Sequence, residues 1–369
     1  MSLVYRHRLF PATLALLSAI TACGLGGGIG GTGITAGIGG TGITAYGPVQ
    51  RLGSIFVNGR EYYFGKYVDV TIDGSPADSA ELRSGDMVLV AAQLDPRTGS
   101  TEALHIQMEH AIMGPVGAVN RATNSITVLN QHIEFAPHAH TALADLHSGD
   151  WVAVSALQRA DGIWSATRIE RVQQKTVSGH FILTGTIGPI LADKGEATIA
   201  GLTLHVAAQQ LQGLHPGEIV RAMGNYKNHM PHVVKIESAM LLLGRPGTLV
   251  EMSGYIQKTS TSDGVMSNGY ILHYPAVSAP AILPDQEIAV RGTLTSDGSI
   301  EAQQLLVDID PLRVELPAPP LNPAIPEMEH SEQGRPEVER EKGEPPEVER
   351  PGIERPELEP PGIEQQEMQ

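Results

Sequence analysis

Histidine is the side chain best placed to do chemistry in this 369-residue chain, because fourteen are present and they gather in two places. His132, His138, His140 and His147 crowd one stretch. Met223, His229, Met230 and His232 crowd another. Imidazole and thioether together suit copper or zinc, and His138 and His140, two residues apart, point to the same side of a strand. The spacing argues against a metal centre. The two groups do not fall at equivalent places in the repeats described below, and neither has the fixed geometry of a His-Glu-x-x-His helix. Loop histidines exposed to water are the simpler expectation, and no cofactor is assigned.

Acids and tryptophans offer the other candidate chemistry. Asp86, Asp150 and Glu218 recur, but a catalytic carboxylate pair must converge on one pocket. These three fall at one spot of separate repeats, between a turn glycine and a strand, where an acid accepts hydrogen bonds from exposed backbone N–H groups. No serine stands in a nucleophile-elbow context, so the chain reads as non-catalytic. Trp151 and Trp164 are candidates for stacking on a sugar ring, with a cross-strand core pair as the plainer expectation.

The elements that must position these residues form a repeat. Leu82-Arg-Ser-Gly-Asp-Met-Val-Leu-Val90, Leu146-His-Ser-Gly-Asp-Trp-Val-Ala-Val154 and Leu214-His-Pro-Gly-Glu-Ile-Val-Arg-Ala222 share one pattern, and Leu283-Pro-Asp-Gln-Glu-Ile-Ala-Val290 is a weaker fourth copy. Each is followed by a polar turn, such as Asp95–Gly99, Ala160–Gly162 or Ser296–Gly298, and by a second alternating strand. Glycine-led strands open the units: Gly53–Gly59, Gly114–Val119, Gly185–Pro189 and Gly254–Ile256. Short strands with frequent turn signals and few helical stretches predict an all-β chain of about four tandem five-stranded barrels of OB type, with an SH3-like barrel as the alternative. The expected units are 47–110, 111–174, 175–243 and a divergent 244–310. Units of this size are marginal alone, so neighbours are expected to pack together.

Gly53-Ser-Ile-Phe-Val-Asn-Gly59, Leu82-x-x-Gly85-Asp86-x-Val88-x-Val90 and Ala103-x-x-Ile106 resemble a bacterial envelope family of unknown function, DUF5666, over residues 47–172. The third unit matches it moderately and the fourth poorly. The resemblance implies tandem domains and a glycine-rich leader, and it brings no catalytic residues.

The flanks differ in character. Arg6, Arg8, an apolar run from Leu9 to Ile20 and then Ile20-Thr21-Ala22-Cys23 describe an export signal, residues 1–22, too short to span a bilayer. The tetrad resembles the lipobox of bacterial lipoproteins, and Cys23 is the single cysteine of the chain. That resemblance implies cleavage before Cys23, lipid on its thiol and amine, and attachment to a membrane. In a Gram-negative cell, Gly24 implies the outer membrane, facing the periplasm. Residues 23–46 carry a tandem glycine repeat that matches G-x-G-x-x-G, but no strand precedes it and no helix follows, so it reads as a flexible linker.

From residue 311 to 369 the chain runs in Pro/Glu-rich pentads, which reads as a disordered acidic tail. It holds 15 acidic and 6 basic residues, a net of −9 out of a total of −16. No Lys/Arg stripe is present to neutralise phosphates, so no nucleic-acid partner is expected. The expected partners are a membrane, through the lipid anchor, and an envelope protein. The expected function is non-catalytic binding or scaffolding; a module for oligosaccharide or peptide, or a His/Met metal protein, is the alternative.

Overall fold

In the computed structural model, residues 42–65, 68–140, 145–173, 179–228, 230–258, 260, 262–274 and 286–307 are described. Cys23, the signal segment and the acidic tail lie outside the described residues, as do His229 and the side chains of His138 and His140. The described residues all belong to one compact unit that ends at Leu321.

Short β-strands account for almost all of the regular structure. The first barrel holds β1 (Gly42–Pro48), β2 (Ile55–Val57), β3 (Arg60–Tyr62), β4 (Asp69–Ile72), β5 (Ser75–Pro76), β6 (Met87–Leu94) and β7 (Thr101–Met108). The second holds β8 (Ile112–Asn120), β9 (Ser125–Val128), β10 (Gln131–His140), β11 (Trp151–Gln158) and β12 (Trp164–Arg171). The third holds β13 (His180–Leu191), β14 (Glu196–Ile199), β15 (Leu202–His205), β16 (Ile219–Lys227) and β17 (Met230–Ser238). The fourth holds β18 (Leu249–Lys258), β19 (Asp263–Met266), β20 (Ile271–His273), β21 (Glu287–Leu294) and β22 (Ile300–Val307).

The pairing in barrel 2 is a closed ring, β8–β9–β10–β12–β11–β8, antiparallel except where β10 meets β12. Barrel 3 repeats it, and so does barrel 4. A five-stranded Greek-key ring with one parallel closure is the OB arrangement. The expected divergence of the fourth unit is therefore in sequence and not in topology. Barrel 1 follows the same path with a broken third strand. There β4 pairs parallel with β7, and Arg51–Phe56 and Tyr63–Glu102 bridges complete the circuit. The cores are aliphatic, as the low aromatic content requires: Ile112, Val128, Ile133, Val154 and Leu183 centre one, and Ile43, Ile55, Val88 and Ile106 another.

Two sequence features build the barrels, the first in barrels 1 to 3 and the second in all four. In the repeated turn, Gly85, Gly149 and Gly217 take φ of +88°, +91° and +98°, which a side chain resists. Each then hooks the first strand by a main-chain pair. Gly85 N donates to Val49 O and Val49 N to Asp86 O, both at 2.8 Å, and the same pair recurs at Val116 and Ile187. The acids sit where the turn reading puts them: Arg83 N donates to Asp86 Oδ2 at 2.7 Å and His147 N to Asp150 Oδ2 at 2.9 Å.

The second feature is a first-strand glycine under a tight crossing. Gly47, Gly114, Gly185 and Gly254 face Val88, Val152, Val220 and Ile288 in register. A Cβ there would lie 2.5 Å from Asn58 Oδ1, 2.8 Å from Leu129 Cγ, 2.5 Å from Ala200 Cβ and 2.7 Å from Met266 Cε respectively.

The second glycine feature corrects two expectations. The glycine that opens barrel 1 is Gly47, and Gly53 lies beyond it in a turn. The linker expected to run through residue 46 stops short of Gly42, because β1 buries Ile43 and Ala45 in the core. Glycine and threonine gave that stretch the composition of a spacer; two partner strands make it a strand.

Candidate functional site

The four barrels meet one another through their first strands and a set of polar clamps. β1 pairs antiparallel with β6 of its own barrel and parallel with β18 of barrel 4, with Ala45 opposite Glu251. Glu251 is buried between two guanidiniums. Arg60 Nη2 reaches Oε1 at 2.7 Å, Arg291 Nε reaches the same oxygen at 2.7 Å, and Tyr62 OH donates to Oε2 at 3.0 Å. Burial and the Glu251 charge hold the Tyr62 phenol well above its ordinary pKa. Asn58, buried in the β2–β3 turn, donates to Tyr46 O and accepts from Ser253 Oγ at 2.6 Å.

Barrels 2 and 3 join through β8 and β13, where Ile112 faces Leu183 and Met113 faces Ile182. Barrel 2 reaches barrel 1 through Thr167, whose hydroxyl donates to Gly85 O at 2.7 Å, and through Arg168, 3.3 Å from Asp86. Barrel 3 reaches barrel 1 through Arg221, a fully buried side chain ion-paired to Asp73. Burial alone would raise the Asp73 carboxyl; the hydrogen bond and charge of His110 and the charge of Arg221 hold it below the usual carboxylate range.

Where these contacts converge, a partly open cavity of about 90 Å³ remains, and all four barrels line it. Barrel 1 supplies Tyr46, Met87, Leu89, Gln107, Glu109 and His110. Barrel 2 supplies Leu157, Gln158 and Trp164, barrel 3 Thr184 and Ile219, and barrel 4 Ser253, Ser267 and Asn268. Gln107 Nε2 donates to Glu109 Oε1 at 2.7 Å, and Arg221 Nη1 lies 3.9 Å from the same carboxylate. The Tyr46 phenol is held above its ordinary pKa, first by burial and then by the charge of Glu109.

His110 is engaged through Nδ1 with Asp73 at 2.7 Å, and Ser253 with Asn58, so the serine–histidine bond that nucleophilic catalysis needs is not made between them.

The sequence candidates scatter around this site. Trp164 lines the cavity, and its buried indole N–H has no hydrogen-bond partner. Trp151 is buried elsewhere, edge-on to Tyr226 of barrel 3 with centroids 5.8 Å apart. The two tryptophans are not a cross-strand pair: Trp164 faces Gln158 in register, and Trp151 sits at the far end of that hairpin. Tyr62 is also fully buried, whereas Tyr63 is half exposed. Trp151 and Tyr62 offer no open stacking face, and Trp164 is open only to the cavity it lines.

His132 is exposed, 3.4 Å from Glu134. Met223 is buried against Met113 and Ile182, whereas Met230 and His232 are exposed, so the structure separates the environments that a His/Met metal site would have to join. Among the described residues, no three His, Cys, Asp or Glu side chains are grouped to hold a metal ion. Sequence reasoning missed Glu109, His110, Tyr46 and Arg221. They carry no motif, and only the packing of separate barrels brings them together.

Comparison with known proteins agrees on one barrel. The family described as "Domain of unknown function (DUF5666)" matches residues 113–170, which lie in barrel 2. No curated protein matches the chain. A solved structure titled "drosophila Unr CSD456" is 16% identical, over 43% of this chain and 79% of its own, with a TM-score of 0.18. A likeness of that size carries no argument here.

Proposed function

We propose that this chain is a non-catalytic binding protein of the bacterial cell envelope. It is tethered to a membrane by lipid on Cys23 and holds a ligand at the junction of its four barrels. The observation that carries the binding part is the cavity walled by all four barrels. A site of that kind depends on the whole assembly, which gives a reason for four small modules to pack into one unit. The repeat's own acids support the non-catalytic part, because Asp86 and Asp150 are spent on turn N–H groups and on Arg168 and Arg171.

The tether rests on Arg6, Arg8, the apolar run and Ile20–Cys23. If the cell is Gram-negative, Gly24 favours the outer membrane, facing the periplasm. An envelope protein is the second class of partner. Nucleic acid has no place in this reading.

Replacing Cys23 by Ser tests the tether. The wild-type chain is expected to stay with membranes through a high-salt wash and the variant to wash free; a variant that stays bound overturns the anchor. Crosslinking both forms in cells then tests the scaffold role, which predicts a discrete partner that the unanchored form loses.

A further inference from the structure

We infer that the junction cavity selects a small organic cation, an alkyl- or methylammonium, over neutral and anionic molecules of the same size. The inference rests on the junction reading proposed above and adds the ligand's class. Its basis is the charge and shape of the walls. Among the described residues, Glu109 is the one carboxylate that lines the cavity, and no Lys or Arg lines it. The guanidinium that reaches Glu109 is Arg221, which is ion-paired to Asp73 and lies 3.9 Å from both Glu109 and Glu237. Asp73 is also paired with His110 and Glu237 with Lys235, which leaves Glu109 with only the distant Arg221 contact and the neutral Gln107 amide. The chain as a whole carries −16, which draws cations to it.

The remaining walls suit the rest of such a ligand. Tyr46 and Trp164 bring two aromatic rings to the cavity. A cation over an aromatic face is attracted by the ring quadrupole, most strongly where water is excluded. Met87, Leu89 and Leu157 supply apolar surface for methyl or methylene groups. Burial first, and then the Glu109 charge, raise the Tyr46 pKa, so the phenol adds no second negative charge to the cavity. At about 90 Å³ the space is smaller than the roughly 150 Å³ cavity that holds benzene, so a ligand of a few heavy atoms fits.

The test uses the full chain and three probes matched in size: tetramethylammonium, neutral tert-butanol and anionic acetate, at constant ionic strength. Trp164 reports from the cavity wall, and a Trp151→Phe background makes it the sole tryptophan, with the unmodified chain run beside it. Tetramethylammonium is expected to change the emission saturably at a concentration at least about tenfold below that needed for tert-butanol, a preference a desolvated cation–π contact can supply. Acetate is expected to do nothing. Glu109→Gln is expected to remove the preference and leave the tert-butanol response in place.

The comparison of probes on the unmodified chain needs no variant, so a poorly folded Glu109→Gln protein does not decide the matter. Equal responses to the cation and the alcohol overturn the cation class and leave the cavity as a binding site. No saturable response to any of the three overturns the junction reading itself.

Discussion

The two places where barrels share a sheet solve the same problem by different means. Barrels 2 and 3 are consecutive in the chain. Their first strands meet antiparallel at Ile112–Leu183 and Met113–Ile182, and an apolar cluster of Met113, Ala153, Ile182 and Met223 seals the contact. Barrels 1 and 4 are the first and the last of the described barrels. Their first strands meet parallel from Ile43–Leu249 to Tyr46–Met252, and the contact is built around Glu251, Arg60, Arg291 and Tyr62.

A short connection limits how barrels 2 and 3 can meet, so apolar contact suffices. Barrels 1 and 4 have no such guide, and a one-residue slip between strands would turn every side chain to the wrong face. Glu251 meets both guanidiniums and the Tyr62 hydroxyl in the observed register, with Ala45 opposite it. Buried charge of this kind is a poor source of net stability and a good source of register.

Three changes sharpen or break that contrast. The largest effect is expected from Glu251→Gln, which leaves Arg60 and Arg291 buried without their carboxylate; a loss of about 3–5 kcal/mol is expected from urea unfolding. A loss below about 1 kcal/mol would mean that water screens the cluster, and the two junctions would then differ little.

Next come the glycines of the two junction strands. Gly47→Ala and Gly185→Ala each set a Cβ 2.5 Å from a neighbour, Asn58 Oδ1 and Ala200 Cβ, and each is expected to cost about 1–3 kcal/mol. Because Asn58 also bonds Ser253 of barrel 4, Gly47→Ala should weaken the 1–4 junction as well as barrel 1. Equal thermal shifts, with hydrogen exchange unchanged in β18, would remove that link.

The smallest effect compares two equivalent turns. Asp86 faces Arg168 of the next barrel, and burial raises its pKa despite the Arg83 N–H and the Arg168 charge. Its contribution is full below the unfolded value of about 3.9 and declines as pH rises through the folded pKa. Asp150 faces Arg171 of its own barrel, whose hydrogen bond lowers its pKa. Its contribution is present above about 3.9 and is lost as pH falls through the folded pKa. Stability curves of Asp86→Asn and Asp150→Asn, each relative to wild type, should therefore slope in opposite directions, with differences below about 1 kcal/mol for the partly exposed Asp150 pair. Parallel slopes would show that the two turns are electrostatically alike.

The barrels were legible because their signals are local. Leu82, Gly85 and Asp86 specify a turn within five residues, and Asp95–Gly99 specifies the hairpin that follows. β1 was not legible as a strand, because Gly42–Pro48 has a linker's composition and draws its order from residues far along the chain. The cavity was hidden for the same reason. Period-two alternation tells the inside of a barrel from its outside, and it does not mark which outer residues meet another barrel. Trp151 illustrates the limit: the sequence suggested a partner within its hairpin, and the ring lies against Tyr226 of the next barrel.

The double pairing of β1 also sets an order of events in folding. Its antiparallel partner β6 follows within the same barrel, but its parallel partner begins at Leu249. Thr44 further donates to Leu243 O, 199 residues away. Contacts of such separation form late, because chain closure comes before any gain from them. Until barrel 4 is made and docked, β1 presents one edge of unpaired N–H and C=O groups, the kind of edge that seeds pairing between chains. A nascent or truncated chain lacking residues beyond 248 is thus an aggregation-prone species, and the fourth barrel acts as the cover that ends that exposure.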